Sequence, residues 1–383
     1  MKMILKVLSL ISSFIKAEKK FAPQKNELII FDYESDELLS EIILGHKNYT
    51  VLPHRSKYYI LILFLSLLEI KNHKYSYKIA FLKYTKAKYI LNYHDNYTGL
   101  VIPAKVTNSK LFHIQNGRRG EDCIIDFTKN IPKFEKYFAW SKNWEDYCSN
   151  KMNVPFEVIG SIKNNFFKKT NLLPVKRIQF ISHWSQKGQI AGNHKKRRFT
   201  TTWKEDVEDS TIKIIEVLKE FAKKNNLSIE ILLRRKGMSE EENNFYRDLG
   251  FDIEGKYLNK NDYWKENYLN AKNDAIIVGD SSECLAYELM KRNFRVGIFS
   301  ARSLLTKTKH YHYGWPTQTD DEGTFWMNRP NRKNMLKVLN YLLNVNEEEW
   351  KRQIKLNKKI IDYDYQNNLL KDSLTKIGIE IRK

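Results

Sequence analysis

Apolar residues in this chain fall into two alternating patterns. Some form short runs of Ile, Leu, Val and Phe, and others recur every three or four positions. The first pattern predicts buried strands and the second amphipathic helices. In the amino-terminal half, Leu28 to Phe31 reads as a strand followed by an acidic helix start, and Tyr49 to Leu52 as another strand. Tyr89 to Tyr93 and Leu111 to Ile114 are further strands, and residues 136–167 read as strand, helix, strand and an exit loop at Gly160-Ser161. "YYILILFLSLLEI", residues 58–70, is too short to span a bilayer and predicts a buried helix or strand.

The carboxyl-terminal half repeats the alternation more cleanly. A strand at Ile178 to Ser182 precedes a helix at Lys204 to Lys224, and "LSIEILLRRKG" is a strand ending in a basic turn. A helix at Ser239 to Leu249, a short strand in "FDIEGK" and a helix near Asn261 to Asn270 follow. "AIIVGDSSECLAYELMKRNFRVGIFS" then packs strand, turn, helix and strand together, with helical spacing at Leu285, Leu289 and Met290. An irregular aromatic loop follows residue 301, then helices at about 331–344 and 346–360.

This order predicts an α/β protein with parallel sheets, built as two successive halves with a cleft between them. The boundaries expected are 1–170 for the first domain and 171–350 for the second, joined near 168–176. Residues 351–383 are expected to form a helical tail that packs back on the first domain. Ligands of open α/β sheets gather at the carboxyl ends of strands, so the polar segments there are the places to look.

Composition narrows the partners. A 42% hydrophobic and 29% charged chain is globular rather than disordered. Cys123, Cys148 and Cys284 have neither CxxC spacing nor an even count, which fits a reducing cytoplasm and neither a disulfide framework nor a zinc site. A net charge of +21 suits nucleic acid, an anionic membrane surface or phosphorylated substrates, though an Asn-, Lys- and Ile-rich composition also follows from an AT-rich genome. The absence of any nucleic-acid-binding signature makes nucleic acid the weakest of the three. The stretch "MKMILKVLSLISSFIKAEKK" reads as an amphipathic helix, lying on a membrane or packed on the protein, with no small-residue cleavage site after it. The expected location is the cytoplasm or the inner face of the cytoplasmic membrane.

Several strand ends carry candidate chemistry. "NYHDNYTG" places His94, Asp95 and Asn96 after a strand, where a carboxylate can accept a proton from a hydroxyl or simply form an Asp-Asn turn. "HIQNGRRGED" offers Gln115, Asn116, Arg118 and Arg119, with Asn-Gly also a common turn. Ser281 and Ser282 start a helix, where they serve either as N-caps or as phosphate ligands. Arg234, Arg235 and Lys236 suit a phosphate or a solvated turn, and Ser185, Gln186 and Lys187 lie in a polar strand end. "HYHYGWPTQTDDEGTFWMN" carries His310, His312, Trp315 and Trp326, which suit a sugar or nucleobase, or a packed loop. A His-x-His pair without further ligands does not mark a metal site. No nucleophile elbow, P-loop or GxGxxG fingerprint is present.

In their shared order, "HDN", "IQNGRR", "VIGSIKNNFF", "SHWSQ", "SSECLAYELMKRNFRVGIFS" and "YGWP…GTFWMN" carry a resemblance. From about residue 90 to 330 the chain resembles bacterial surface-carbohydrate (O-antigen or capsule) biosynthesis proteins with a GT-B glycosyltransferase-like architecture. These are distantly similar to capsule Kdo transferases and to UDP-N-acetylglucosamine 2-epimerase. The resemblance implies two Rossmann-like domains and a metal-independent glycosyltransferase with no cofactor. The implied substrates are a nucleotide-activated sugar and a glycan or lipid-linked glycan acceptor; the many basic residues favour CMP-nonulosonate or CMP-Kdo, whose carboxylate is a second anion, slightly over a UDP-sugar. No nucleic-acid partner is implied. It also implies that Ser281 and Ser282 contact phosphate and that Glu288 contacts the ribose. Where the family more often reads Asp-Ser-Thr-Leu-Gly-Tyr-Glu, this chain reads Ser282-Glu283-Cys284-Leu285-Ala286-Tyr287-Glu288.

On this reading Asp95 is the base, with His94 beside it, and Asn96, Gln115, Asn116 and Arg118 face the acceptor. Ser185, Gln186, Lys187, Arg234, Arg235, Lys236, Ser281, Ser282, Glu288, His312 and Trp315 face the donor. A nucleotide-sugar epimerase, a glycerol- or ribitol-phosphate transferase, and a non-catalytic basic binding protein are the alternatives.

Overall fold

The computed structural model describes residues 17–45, 48–54, 57–72, 74–95, 97–118, 134–149, 152, 154–184, 207–233, 240–253, 264–281, 283–300, 322–356 and 361–381. They fall into two compact units. The first comprises Met1–Asn116, Cys123–Phe166 and Asp364–Lys383, and the second Gly117–Asp122 and Phe167–Tyr363.

In the first unit, β1 (Glu18–Lys20), β2 (Leu28–Phe31), β3 (Thr50–Leu52) and β4 (Lys57–Tyr59) precede β5 (Tyr89–Asn92). Then come β6 (Lys110–Ile114), β7 (Lys136–Ala139) and β8 (Phe156–Val158). Six of these form one parallel sheet in the order β3-β2-β5-β6-β7-β8, and β1 pairs with β4 apart from it. The second unit has β9 (Arg177–Ile181), β10 (Ser228–Leu232), β11 (Ala275–Gly279), β12 (Arg295–Phe299) and β13 (Trp326–Met327). Its parallel sheet runs β10-β9-β11-β12-β13.

The continuous apolar runs are the central strands. Every residue of β2, β11 and β12 is buried, as a parallel strand covered on both faces requires. Helix Asp209–Lys224 turns Ile214, Ile215, Leu218 and Phe221 inward, and helix Arg332–Asn344 buries Met335, Val338, Leu339 and Leu342. Fully burying one such side chain contributes about 1.5–3 kcal/mol. Residues of the carboxyl-terminal helix Asn368–Lys376 bond within the first unit: Ser373 donates to Glu157 at 2.5 Å, and Asn165 donates to Asn367 at 3.0 Å.

Both sheets share one winding rule. The second strand pairs on one side of the first, and the chain then returns to place the third strand on its other side. That reversal leaves a crevice at the carboxyl ends of the first and third strands. It lies at β2 and β5 in the first unit, and at β9 and β11 in the second.

Several elements differ from the sequence expectation. Residues 58–70 are not a buried segment: β4 runs into helix Ile60–Ser66, where Ile62 is the one fully buried residue. Hydrophobic runs report an element's composition and not how many of its faces are covered. Helices expected from Lys204 and Asn261 begin at Asp209 and Glu266, with 204–206 and 261–263 outside the described residues. Residues 251–253 form no strand, and the rest of "FDIEGK" lies outside the described residues. No helix among the described residues is long and apolar enough to cross a membrane.

The end of β11 approaches its helix closely. A Cβ added at Gly279 falls 2.9 Å from Ala286 Cβ and 3.2 Å from Ile181 Cδ1, so the helix must move to admit a methyl group. Gly279→Ala is therefore expected to destabilise the protein by about 1–3 kcal/mol, read as a lower urea midpoint. An unchanged midpoint would show that this contact is not tight.

Candidate functional site

At the first unit's crevice the chain leaves β2 through Asp32, whose φ of 70° and ψ of 147° lie where side-chain-bearing residues are strained. Three hydrogen bonds and ion-pair contacts hold it there. Its N–H donates to the Leu52 carbonyl at 2.9 Å, and Oδ1 accepts the Tyr33 N–H at 2.8 Å, capping helix Tyr33–Leu39. Oδ2 lies 3.5 Å from Nε2 of His94, the second residue after β5. Burial works to raise the Asp32 pKa, but His94 and the Tyr33 N–H outweigh it and hold the carboxyl below its ordinary range, with His54 adding a smaller attraction.

His54 follows β3, so three adjacent strand ends supply an Asp flanked by two imidazoles. Phe31 and Tyr97 stack at 4.7 Å, with His54 tilted 5.0 Å from Tyr97, and Lys78 donates to the Tyr97 hydroxyl. The side chains of His94 and Asp32 keep 23% and 21% of their surface exposed, so this pair is open to a ligand. An imidazole whose one nitrogen faces a carboxylate can accept a proton on the other.

Beneath the pair lies a buried polar network. Asn92 Oδ1 accepts the His94 N–H at 3.0 Å, while its Nδ2 contacts His113 Nδ1 at 3.0 Å and the Tyr97 carbonyl at 3.3 Å. Asp95 is fully buried: one oxygen accepts the Tyr137 hydroxyl at 2.5 Å and the other the Asn116 N–H at 3.2 Å. Gln115 Oε1 accepts the Trp140 N–H at 2.7 Å and its carbonyl accepts the indole N–H at 2.8 Å. Asp95, Gln115 and Asn116 thus tie together the carboxyl ends of β5, β6 and β7.

In the second unit, Ser182 and His183 follow β9, and Asp280 and Ser281 follow β11; all four are fully buried. Ser182 donates to Glu242, and His183 Nε2 lies 2.7 Å from Thr211 Oγ1. Ser281 is not a helix cap. The helix begins at Cys284 with Glu283 in the N-cap position and no side-chain cap bond, and the Ser281 hydroxyl accepts from Ser300 at 2.7 Å.

Arg118, expected on the acceptor side, groups with this unit. Its N–H donates to Cys284 Sγ at 3.2 Å, and its guanidinium donates to the Ser281 carbonyl and, at 2.9 Å, to the Tyr287 hydroxyl. Burial raises the Tyr287 pKa, opposed by the Arg118 charge, so the phenol stays neutral. Glu288 is buried and accepts the Tyr268 hydroxyl at 2.6 Å. A helix N-terminus beside a guanidinium can hold an anion.

Residues 112–377 match a family described as "putative O-antigen biosynthesis protein", more than half of the chain. The chain belongs to this O-antigen biosynthesis family. No curated protein sequence matches it. Among solved structures, the "putative UDP-N-acetylglucosamine 2-epimerase" of Listeria monocytogenes superposes with a TM-score of 0.52 at 12% identity, covering 92% of this chain and 97% of the other. The Neisseria meningitidis UDP-GlcNAc 2-epimerase, bound to UDP-GlcNAc, gives 0.50 at 14% identity over 91% and 99%. S. aureus MnaA in its UDP co-structure gives 0.50 at 10% over 92% and 97%. This O-antigen family member therefore has the α/β, GT-B-like fold with parallel sheets.

The family match takes in Gln115, Asn116, Arg118, Ser281 and Glu288, while Asp32, His54, His94 and Asp95 precede it. Asn96, Ser185, Gln186, Lys187, Arg234, Arg235, Lys236, Ser282, His312 and Trp315 lie outside the described residues. Asp32 and His54 were not expected from sequence. Their signal, a polar residue at the end of each of two apolar strands, is shared by many structural turns.

Burial pushes the His113 pKa down to about 4, against a smaller pull from the Asp95 charge. Between about 6.5 and 4 the unfolded chain binds a proton that the folded chain refuses, so stability is lost as pH falls through this window. His113→Gln is expected to flatten this slope, removing up to about 3 kcal/mol of acid-induced loss in urea unfolding at pH 4 relative to pH 7. A slope identical to wild type would place the titration elsewhere.

Proposed function

We propose that this protein is a glycosyltransferase of O-antigen or capsule biosynthesis, moving a sugar from a nucleotide-activated donor to a glycan acceptor. The observation that carries this reading is the partly exposed Asp32–His94 pair at the first unit's crevice, in a family of O-antigen biosynthesis proteins. His94 Nε2 lies 3.5 Å from the Asp32 carboxylate, which orients the imidazole to take the acceptor's hydroxyl proton. The freed oxygen forms a bond to the anomeric carbon. The bond from that carbon to the donor phosphate breaks, and its electron pair stays on the phosphate oxygen, which gives inversion.

This gives proton acceptance to His94 and keeps Asp95 as a positioning residue, because both Asp95 oxygens already accept hydrogen bonds in a buried network. Gln115 and Asn116 belong to that same network and shape the acceptor side. Within the second unit, Arg118 and the start of helix Cys284–Lys291 are the candidates for binding the nucleotide's phosphate, with Ser281 and Tyr287 fixing Arg118. Arg234 and Arg235 are further candidates from sequence, and Glu288, set by Tyr268, is the ribose candidate. The surplus of basic residues suits a CMP-linked acidic sugar, whose carboxylate is a second anion. UDP-sugars are the competing donors, since two similar structures hold UDP or UDP-GlcNAc.

Thermal unfolding with CMP, UDP and GDP is expected to show stabilisation by one nucleotide, lost in Arg118→Ala. With the matching donor and a glycan acceptor, His94→Ala is expected to lower kcat at least about 100-fold, with Asp32→Asn changing the pH profile of kcat. Near-normal turnover by His94→Ala overturns the base assignment. Consumption of the nucleotide sugar without acceptor would make the protein an epimerase instead.

A further inference from the structure

Helix Ile60–Ser66 and the turn that extends it to Asn72 carry an apolar stripe on the solvent side. Ile60, Phe64, Leu67 and Leu68 follow helical spacing and are 39%, 65%, 66% and 79% exposed. Phe21, 74% exposed, joins them, because its carbonyl accepts the Leu61 N–H at 3.0 Å. The opposite side packs Ile62 and Leu65 against the core of the first unit, so the helix is apolar all round. Five large exposed side chains in one place call for a partner.

The charges around the stripe select its chemistry. Both acids close to it are already paired: Glu18 with Lys57 at 2.9 Å, and Glu69 with Lys83 at 2.6 Å. Exposed Lys19 and Lys20 immediately precede Phe21, Lys20 also lying 3.6 Å from Glu18, and Lys71 and Lys74 follow Leu68 in the sequence. The first 26 residues carry six lysines and one acid, in the Lys-flanked apolar stretch that leads into β1. β1 and β4 run parallel, so the chain leaves both of them toward the stripe on the same side. Apolar side chains flanked in the sequence by lysines match a bilayer with anionic headgroups, where the chains enter the acyl boundary and the lysines meet phosphate. A second copy of this basic chain would instead bring like charges together.

We propose that Phe21, Ile60, Phe64, Leu67 and Leu68 form a docking surface for an anionic phospholipid membrane. None of these five side chains is assigned a part in the transfer reaction, so the proposal stands or falls independently of the transferase reading.

The full-length protein is tested by flotation with vesicles of phosphatidylcholine alone and with phosphatidylglycerol added. Wild type is expected to float with the mixed vesicles, less so at high salt, and to bind the neutral ones weakly. Phe64→Glu with Leu68→Glu is expected to lower binding to mixed vesicles at least about tenfold, with its thermal midpoint and nucleotide-induced stabilisation unchanged. Undiminished binding by that variant overturns the proposal and moves binding elsewhere in the chain. So does a wild-type protein that ignores both vesicles, or one that is a dimer the variant dissociates without any vesicle binding.

Discussion

Asn92 is a fully buried amide at the end of β5 that uses both of its ends. Its oxygen takes the His94 N–H, and its nitrogen reaches His113 and the Tyr97 carbonyl. A buried amide left half-paired is destabilising by a few kcal/mol, so these partners fix one orientation for the turn from 92 to 97. Everything at the first crevice follows from that turn. His94 reaches Asp32 because its backbone is held, Tyr97 stacks on Phe31 because its carbonyl is held, and Asp95 points inward to Tyr137. The neutral state of His113 belongs to the same constraint, since Nδ1 must stay an acceptor for Asn92.

The two units solve one geometric problem with different chemistry. Each parallel sheet reverses its strand order between its first and third strands, and each places polar residues where the apolar runs stop. In the first unit those residues are a partly exposed carboxylate and imidazole, a pair able to move a proton. In the second they are buried hydroxyls and a carboxylate, with Arg118 aimed at the Ser281 carbonyl. The Arg118 guanidinium donates to the Ser281 carbonyl and to the Tyr287 hydroxyl, which fixes its position beside the start of helix Cys284–Lys291.

The strands were legible in the sequence because parallel strands covered on both faces are uninterrupted apolar runs. Leu28 to Phe31, Ala275 to Gly279 and Arg295 to Phe299 need no long-range information to be recognised. Residues 58–70 look the same by composition, yet half of that surface faces solvent, and only the tertiary fold decides which half. Ser281 sits where a cap is expected, but its hydroxyl meets Ser300, nineteen positions away, and the helix starts three residues later. His94 and Asp95 were visible as a polar strand end. The burial of Asp95 was not, because it depends on Tyr137 and Asn116 reaching that carboxylate across two neighbouring strands. Asp32 lacked any local signal that separates it from a helix cap.

The backbone of Asp32 argues that its side chain is there for more than capping. A residue other than glycine at this φ and ψ costs about 1–3 kcal/mol. Glycine would remove most of that strain and still donate its N–H to the Leu52 carbonyl. A serine or asparagine would cap helix Tyr33–Leu39 as well as an aspartate does, so the cap does not explain the carboxylate. What the alternatives lose is a negative charge 3.5 Å from His94 Nε2 and within the field of His54. The strain is sustained by a fold that over-determines the position, through β3 on one side and β5 on the other. A charge held at that expense, beside a partly exposed imidazole, fits a site in which the carboxylate sets the orientation of His94.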